Sequence, residues 1–406
     1  TQNRKDIADA RVAVGSALLH LAPLLCTSAQ VQSLVSFLVR DRVLGERSEA
    51  VRTRMLEAGA QAVATHGSKW AADLMPILEH FLGEPDEGTH AYDCIREGVV
   101  VLLGRLAQHL PADDQRRVSD AVDRLVEALS TPSEAVQRAV SECLPPLARR
   151  ISEDKQAAVV EELLERTLAG PKYAIRRGGA YGIAGIVKGL GLAALKKFNV
   201  VSRLRDACED KKDTFKRQGA LFAFETMAKT LGRLFEPYVI QFMPLLLVLF
   251  GDVNADVRDA ALDTARVIMA NISGHGVKLI MPAALEGIAD DQWRIKKGSV
   301  EILGAMAFCA PKQLSLALPA IVPRIVTVLA DSHGQVAAAA RAALLRFGDV
   351  IHNPEIQALV PTLMAALDDP AAKTDAALVQ LLHTAFVHYI DAPSLALVVP
   401  ILQRGM

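Results

Sequence analysis

Aromatic side chains are scarce in this sequence of 406 residues: Phe, Trp and Tyr make up 5%, although 51% of residues are hydrophobic. A core built on large rings is excluded, and the Ala, Leu and Val that remain suit helices packed closely side by side. Cysteine is equally thin. Cys26, Cys94, Cys143, Cys208 and Cys309 lie 49 to 101 residues apart, and none forms a CxxC pair. That spacing excludes a zinc ribbon or a disulfide framework, and an odd count fits buried structural thiols in a reducing compartment. A net charge of −1 gives the whole chain no general affinity for polyanions. The apolar run from Tyr238 to Phe250 holds 13 residues, with Gln241 and Pro244 inside. It is shorter than the roughly 20 residues needed to cross a bilayer. The polar opening "TQNRKDIADAR" has no signal-peptide character, so a soluble, cytoplasmic protein without a membrane partner is expected.

Motifs for chemistry are missing too. There is no GxxxxGK[ST] phosphate loop, no HExxH and no GxSxG elbow. Glycines 179, 182 and 185 in "RRGGAYGIAGIVKGLG" imitate a phosphate cradle, but no strand precedes them, and small residues three apart on a helix admit a neighbouring helix. His383 and His388 are five apart, on different faces of a helix, so no metal pair is expected. Trp70 is assigned to an apolar packing face and Trp293 to a turn. No catalytic residue, no cofactor and no small-molecule substrate is expected, and the chain reads as non-enzymatic.

What is present is a period. An apolar residue followed by a polar or basic one recurs at Val51-Arg52, Ile95-Arg96, Val136-Gln137, Ile175-Arg176, Phe215-Lys216, Val257-Arg258, Ile295-Lys296, Val336-Ala337 and Thr374-Asp375. Successive copies are separated by 38 to 44 residues. Asp210, Asp252, Asp290, Asp331 and Asp369 each lie five residues before a copy. Each unit opens with an apolar helix, often carrying Pro in its first turn or at an early kink, as in "PILEHFL" from Pro76 and "EPYVIQFMPLLLVLF". A polar turn follows, and then a second helix with apolar residues at i, i+3, i+4 and i+7. In "VRDAALDTARVIMA", Val257, Ala260, Ala261, Thr264 and Ile268 share that face. A two-helix hairpin cannot bury its apolar side alone, but a stack of hairpins can.

The fold class is therefore all-α: a HEAT-repeat α-solenoid of nine to ten hairpins without a sheet, running as one continuous array over 1–406. The chain is expected to be a fragment of a longer solenoid, because both ends fall inside a repeat. The turn aspartate is expected to cap the second helix and to pair with the basic residue six positions on or in the neighbouring repeat, as a structural ladder.

Charge is uneven along the array. Residues 171–240 hold 14 Lys and Arg against 6 Asp and Glu. Lys172, Arg176, Arg177, Lys188, Lys196, Lys197, Arg203, Arg205, Lys211, Lys212, Lys216 and Arg217 are candidates for contact with a nucleic-acid backbone such as that of structured RNA. A solvated face, or a dock for an acidic protein, is the competing reading of the same residues.

Several strings go beyond the generic repeat: "YGIAGIVKGLG" (181–191), "QGALFAFETMAKTLGRLFEPYV" (218–239), "GHGVKLIMPAAL" (274–285), "SVEILGAMAFCAPKQLSLALPAIVP" (299–323) and "DAPSLALVVPILQRG" (391–405). They resemble the general control nonderepressible 1 family and the HEAT region of elongation factor 3, over most of 171–406. Over 1–170 the likeness rests on repeat pattern and on "CIREGVVVLLGRLAQHL". The resemblance implies a scaffold lying on ribosomes and an ATP-binding-cassette partner. It also implies recruitment of the amino-acid-starvation kinase through repeats outside this stretch. Nothing matches the ATPase cassettes of elongation factor 3. A transport receptor or phosphatase scaffold is the alternative reading.

Overall fold

The computed structural model describes residues 2–405; Thr1 and Met406 lie outside the described residues. Among the described residues there are helices and turns and no strand. The chain resolves into two compact units, Thr1–Ala207 and Cys208–Met406.

In the first unit the second helices are Glu49–Leu82, His90–Ala107, Glu134–Ala148 and Tyr173–Leu190, and each packs on the next. In the second unit Thr214–Leu231, Ala255–Asn271, Trp293–Cys309 and Gly334–Gly348 pack in the same succession. Its first helices, Glu236–Leu249, Gly274–Gly287 and Pro311–Leu329, form a parallel layer of neighbours. This nearest-neighbour packing is what stacked hairpins require. The face read from "VRDAALDTARVIMA" is buried: Val257, Ala261 and Thr264 are 0% exposed, Ile268 2% and Ala260 4%. Burial of each Val or Ile there contributes about 1.5–3 kcal/mol.

The helix starts explain where the repeat pattern slips. In five units the N-cap is Ser48, Ser133, Asn254, Gln292 or His333, and the residue three beyond it, Val51, Val136, Val257, Ile295 or Val336, is buried. In the unit that opens the second body, the cap is Asp213, three residues after Asp210 rather than two. One extra turn residue rotates the following helix by roughly 100° relative to its repeat position. Phe215 consequently faces outward, 48% exposed, and Arg217 takes a buried position at 5%. The pair equivalent to Val257-Arg258 is thus Lys216-Arg217, not Phe215-Lys216.

Two further expectations are corrected. The prolines lie mid-helix more often than in the first turn: Pro76, Pro145, Pro146, Pro244, Pro282, Pro361 and Pro400 are all interior. Pro237, Pro311, Pro354 and Pro370 do sit in first turns, as expected. Trp70 is not a packing-face residue but the bend itself, with φ −126° and ψ 22° inside Glu49–Leu82. Its ring lies 5.1 Å from that of His66, and Lys69 sits 4.7 Å over it.

Among the described residues, three segments are long and apolar enough to cross a membrane by length and composition: Ile7–Leu24, Thr214–Leu249 and Pro311–Leu329. The second is interrupted by a 3-10 turn at Gly232–Phe235 and contains the buried Arg217 and Glu225. The third packs against Gly334–Gly348 and Ala392–Gly405.

Candidate interaction surface

The repeated aspartate and the repeated basic residue form a lattice of short bonds at the hairpin turns. Asp210, Asp252, Asp290 and Asp331 each accept the backbone N–H two residues on, at 3.0, 2.8, 2.8 and 2.8 Å. They tie the turn, while the helix cap falls to the next polar residue: Asp213 accepts from Phe215 and Lys216, and Asn254 from Asp256 and Val257. Only Asp369 is itself a cap with a side-chain bond. The capping role expected of the repeat aspartate therefore moves two or three residues along the chain.

Four residues beyond the cap, the basic residue reaches back to its own turn. Arg52 donates to the Glu46 carbonyl at 2.7 Å, Arg176 to Gly170 at 2.8 Å, Arg217 to Asp210 at 2.7 Å and Arg258 to Asp252 at 2.7 Å. Gln137 does the same to Thr131 at 2.7 Å. Three copies also bind the next repeat, and Gln137 does so by donating to the Ala174 carbonyl at 2.9 Å. Arg217 grips the Asp252 carboxylate with two donors at 2.8 and 3.1 Å, and Lys296 reaches Asp331 at 3.0 Å. Asp210 pairs with Lys216 at 3.1 Å, and that lysine holds its carboxyl below the usual carboxylate range. Asp331 is lowered first by the His333 N–H and then by Lys296. The ladder is therefore partly within repeats and partly between them.

This lattice removes several of the basic candidates from solvent. Arg176 and Arg217 are 4% and 5% exposed. Arg177 lies 3.7 Å from Glu134, Lys197 3.1 Å from Glu153, and Arg203 grips Glu161 at 2.5 and 3.0 Å. Exposed, and without an ion pair among the described residues, are Lys172, Lys188, Lys196, Arg205, Lys211 and Lys212. They are not one cluster. In the first unit Lys172 caps the start of Tyr173–Leu190 and Lys188 lies in its last turn, about 24 Å away along the axis. Lys196 sits on the short Ala193–Lys197 helix beyond Gly191, whose φ of 87° makes the turn. Lys211 and Lys212 belong to the second unit's first hairpin turn.

The remaining candidates resolve individually. A side chain at Gly179, Gly182 or Gly185 would come within 2.5 Å of Thr167, 2.4 Å of Leu163 or 2.6 Å of the Ser141 carbonyl, so these glycines serve helix packing. His388 is not helical: it follows Pro370–His383 in a loop that Glu355 holds by the His388 ring at 2.8 Å and by the Val387 and His388 N–H groups. Those contacts, His388 first, lower the Glu355 carboxyl to about 2. Trp293 opens its helix rather than sitting in the turn, and its ring stacks on His333 at 3.8 Å. Cys143 and Cys208 are buried and Cys94 and Cys309 half-buried, but Cys26 is exposed, against the expectation of five core thiols.

One feature passed unnoticed in the sequence. Phe308 is 72% exposed, with the Arg346 guanidinium 5.5 Å from its ring centre. It sits in the apolar string "AMAFCAP", which hides it, yet it lies 13 residues beyond Ile295. At 100° per residue that is about 220° around the helix, away from the core face.

Comparison with known proteins follows these features along the chain. Residues 1–108 match the family described as stalled ribosome sensor GCN1, HEAT repeats. Residues 176–344 match the elongation factor 3 N-terminal HEAT repeat, and 373–406 the elongation factor 3/GNC1 HEAT repeat. The specifically GCN1 match thus lies where the sequence strings were least distinctive. The human stalled ribosome sensor GCN1 is 48% identical over 100% of this chain, and the chain covers 15% of that protein. The Saccharomyces cerevisiae eIF-2-alpha kinase activator GCN1 is 44% identical over 93% of this chain and 14% of its own length. Elongation factor 3 of Gonapodya prolifera is 29% identical over 62% of this chain and 23% of its own. Among solved structures, the karyopherin Kap121p bound to the extreme C-terminus of the protein phosphatase Cdc14p matches with a TM-score of 0.50 and 16% identity. That match covers 98% of this chain and 41% of the karyopherin, and at this identity it speaks for the α-solenoid fold alone. With all-α hairpins stacked at a forty-residue period and near-half identity along its whole length, the chain belongs to the GCN1 family, as a run of its HEAT repeats.

Proposed function

We propose that this run of repeats is a non-catalytic scaffold segment that rests on ribosomes in the cytoplasm during the general control response. On this reading it also carries an ATP-binding-cassette partner, while the starvation kinase is engaged by repeats elsewhere in the longer protein. The observation that carries the reading is 48% identity along the whole chain to a protein named as a stalled ribosome sensor. The chain spans 15% of that relative, so what the whole protein does is here assigned to a segment of it. Physical support comes from Lys172, Lys188, Lys196, Arg205, Lys211 and Lys212, exposed cations without an ion pair among the described residues. Each can release counterions on meeting a phosphate. Arg176 and Arg217 drop out, because their guanidinium groups are spent on turns and on the next repeat.

The alternative of a transport receptor rests only on the fold likeness to a karyopherin. Co-sedimentation of the purified chain with ribosomes, set beside binding to a small GTPase, separates the two. The proposal expects pelleting with ribosomes and no GTPase binding; the reverse pattern overturns it.

A further inference from the structure

The second unit has an opening that its own packing leaves unfilled. Between Ala255–Asn271 and Trp293–Cys309 lies a groove of about 570 Å³, within the 300–1,000 Å³ typical of ligand sites. Its accessible walls are small or apolar, Leu262 and Ala270 on one side and Ala305 on the other, with the buried Met269, Ile302 and Phe250 beneath. Gly298 shapes the floor, since a side chain there would fall 2.2 Å from the Phe250 ring. Phe308 stands at the mouth with 72% of its surface in solvent, a costly placement for a phenyl group that nothing in the repeat requires.

Charge narrows the occupant. Of the ionic side chains lining the groove, Arg266 is answered by Asp263 at 2.9 Å and Glu301 approaches Lys297 at 3.8 Å. Arg346 has no carboxylate within ion-pair distance among the described residues; it rests over the Phe308 ring at 5.5 Å. A cation on an aromatic face, at the rim of an apolar trough, is matched by a carboxylate arriving with apolar side chains. Small apolar walls with one cation outside an ion pair among the described residues do not suit a phosphate backbone, which needs several. The two walls are adjacent 17-residue helices, and such a trough accepts a third helix through anchors at i, i+3 and i+4.

We propose that the groove between Ala255–Asn271 and Trp293–Cys309 docks an amphipathic helix of a partner protein, its apolar stripe against Phe308 and Ala305 and an acidic residue on Arg346. None of the exposed lysines above lines this groove, so it stands or falls independently of ribosome contact.

The test is selection of a phage-displayed library of helical 16-residue peptides, with a fixed Leu/Phe/Met stripe and randomised polar positions, on the purified chain. Enrichment of Asp or Glu beside the stripe is expected. The selected peptides should lose at least tenfold in affinity on Phe308→Ala and on Arg346→Glu, and R346E should favour Lys-bearing peptides instead. Both side chains lie outside the core, so unchanged circular dichroism and melting confirm that the variants fold; Ala305→Glu serves as the blocked groove. Equal binding to wild type and A305E, selection of basic peptides by wild type, or displacement of selected peptides by a short RNA oligonucleotide would each overturn the proposal.

Discussion

Replacing Arg217 with methionine separates a strut from a contact residue. Sequence places Arg217 among the phosphate-binding candidates, whereas the structure buries it to 5% and gives it three bonds, two to Asp252 of the next repeat and one to the Asp210 carbonyl. The two side chains are only 6% and 9% exposed. Arg217→Met leaves the Asp252 carboxylate buried with the Asn254 N–H as its remaining donor. Breaking a buried pair from one side costs about 3–5 kcal/mol, because the surviving charge is uncompensated. Removing both charges, as Arg217→Met with Asp252→Ala, eliminates that charge. What remains is the loss of two ordinary bonds to backbone, about 1 kcal/mol each. The double variant should therefore be more stable than R217M alone, by roughly 1–3 kcal/mol. Urea unfolding reads this directly as a shift in midpoint at unchanged slope. A single-variant cost below about 1 kcal/mol, the size of a surface pair, would refute the reasoning. So would a double variant as unstable as the sum of the two singles.

Other outcomes follow from the same geometry. Iodoacetamide should label Cys26 quickly and leave Cys143 and Cys208 untouched until urea unfolds the chain; burial pushes the Cys143 thiol up to about 12 and raises Cys208 as well. Fast labelling of Cys143 in the native chain contradicts the packing described. Glu355, held near 2 from an ordinary 4.5, stabilises the fold fully above pH 4.5 and loses that effect as pH falls through 2. The stability gap between wild type and Glu355→Gln should therefore be flat from pH 6 to 4.5 and close below it, and a gap that widens on acidification is the contrary result. Gly185→Val drives a side chain into the Ser141 backbone, 2.6 Å from its carbonyl, and should cost at least about 1–3 kcal/mol of overpacking. A neutral effect on the melting temperature would deny the close helix approach.

The period was legible because burial repeats with the hairpin: Val51, Val136, Val257, Ile295 and Val336 all lie on the core side of their helices. The register of one repeat was not. Nothing in "EDKKDTFKRQ" announces that Asp213, and not an earlier residue, begins the helix, and a one-residue difference in turn length puts Lys216 rather than Phe215 at the Val257 position and turns Phe215 outward. Residue type also conceals partnership. A run rich in Lys and Arg looks the same whether its cations face water or, like Arg176 and Arg203, bind a carbonyl or a carboxylate some 6 or 42 residues away. Contacts between repeats are long-range in sequence and leave no local pattern. Phe308 was hidden for the opposite reason: an apolar string reads as core until its angle around the helix is worked out.

The most direct test of the scaffold account is ribosome affinity of the purified chain as a function of salt, for wild type and for single Lys→Ala replacements. The account predicts a linear fall of log affinity with log salt. For each exposed cation in contact, Lys172, Lys188, Lys196, Lys211 or Lys212, the slope should drop by roughly 0.7–0.9 on replacement. Replacing the ion-paired Lys197 or Lys216 should leave it unchanged. A salt-independent affinity, or equal slopes for every replacement, would contradict it.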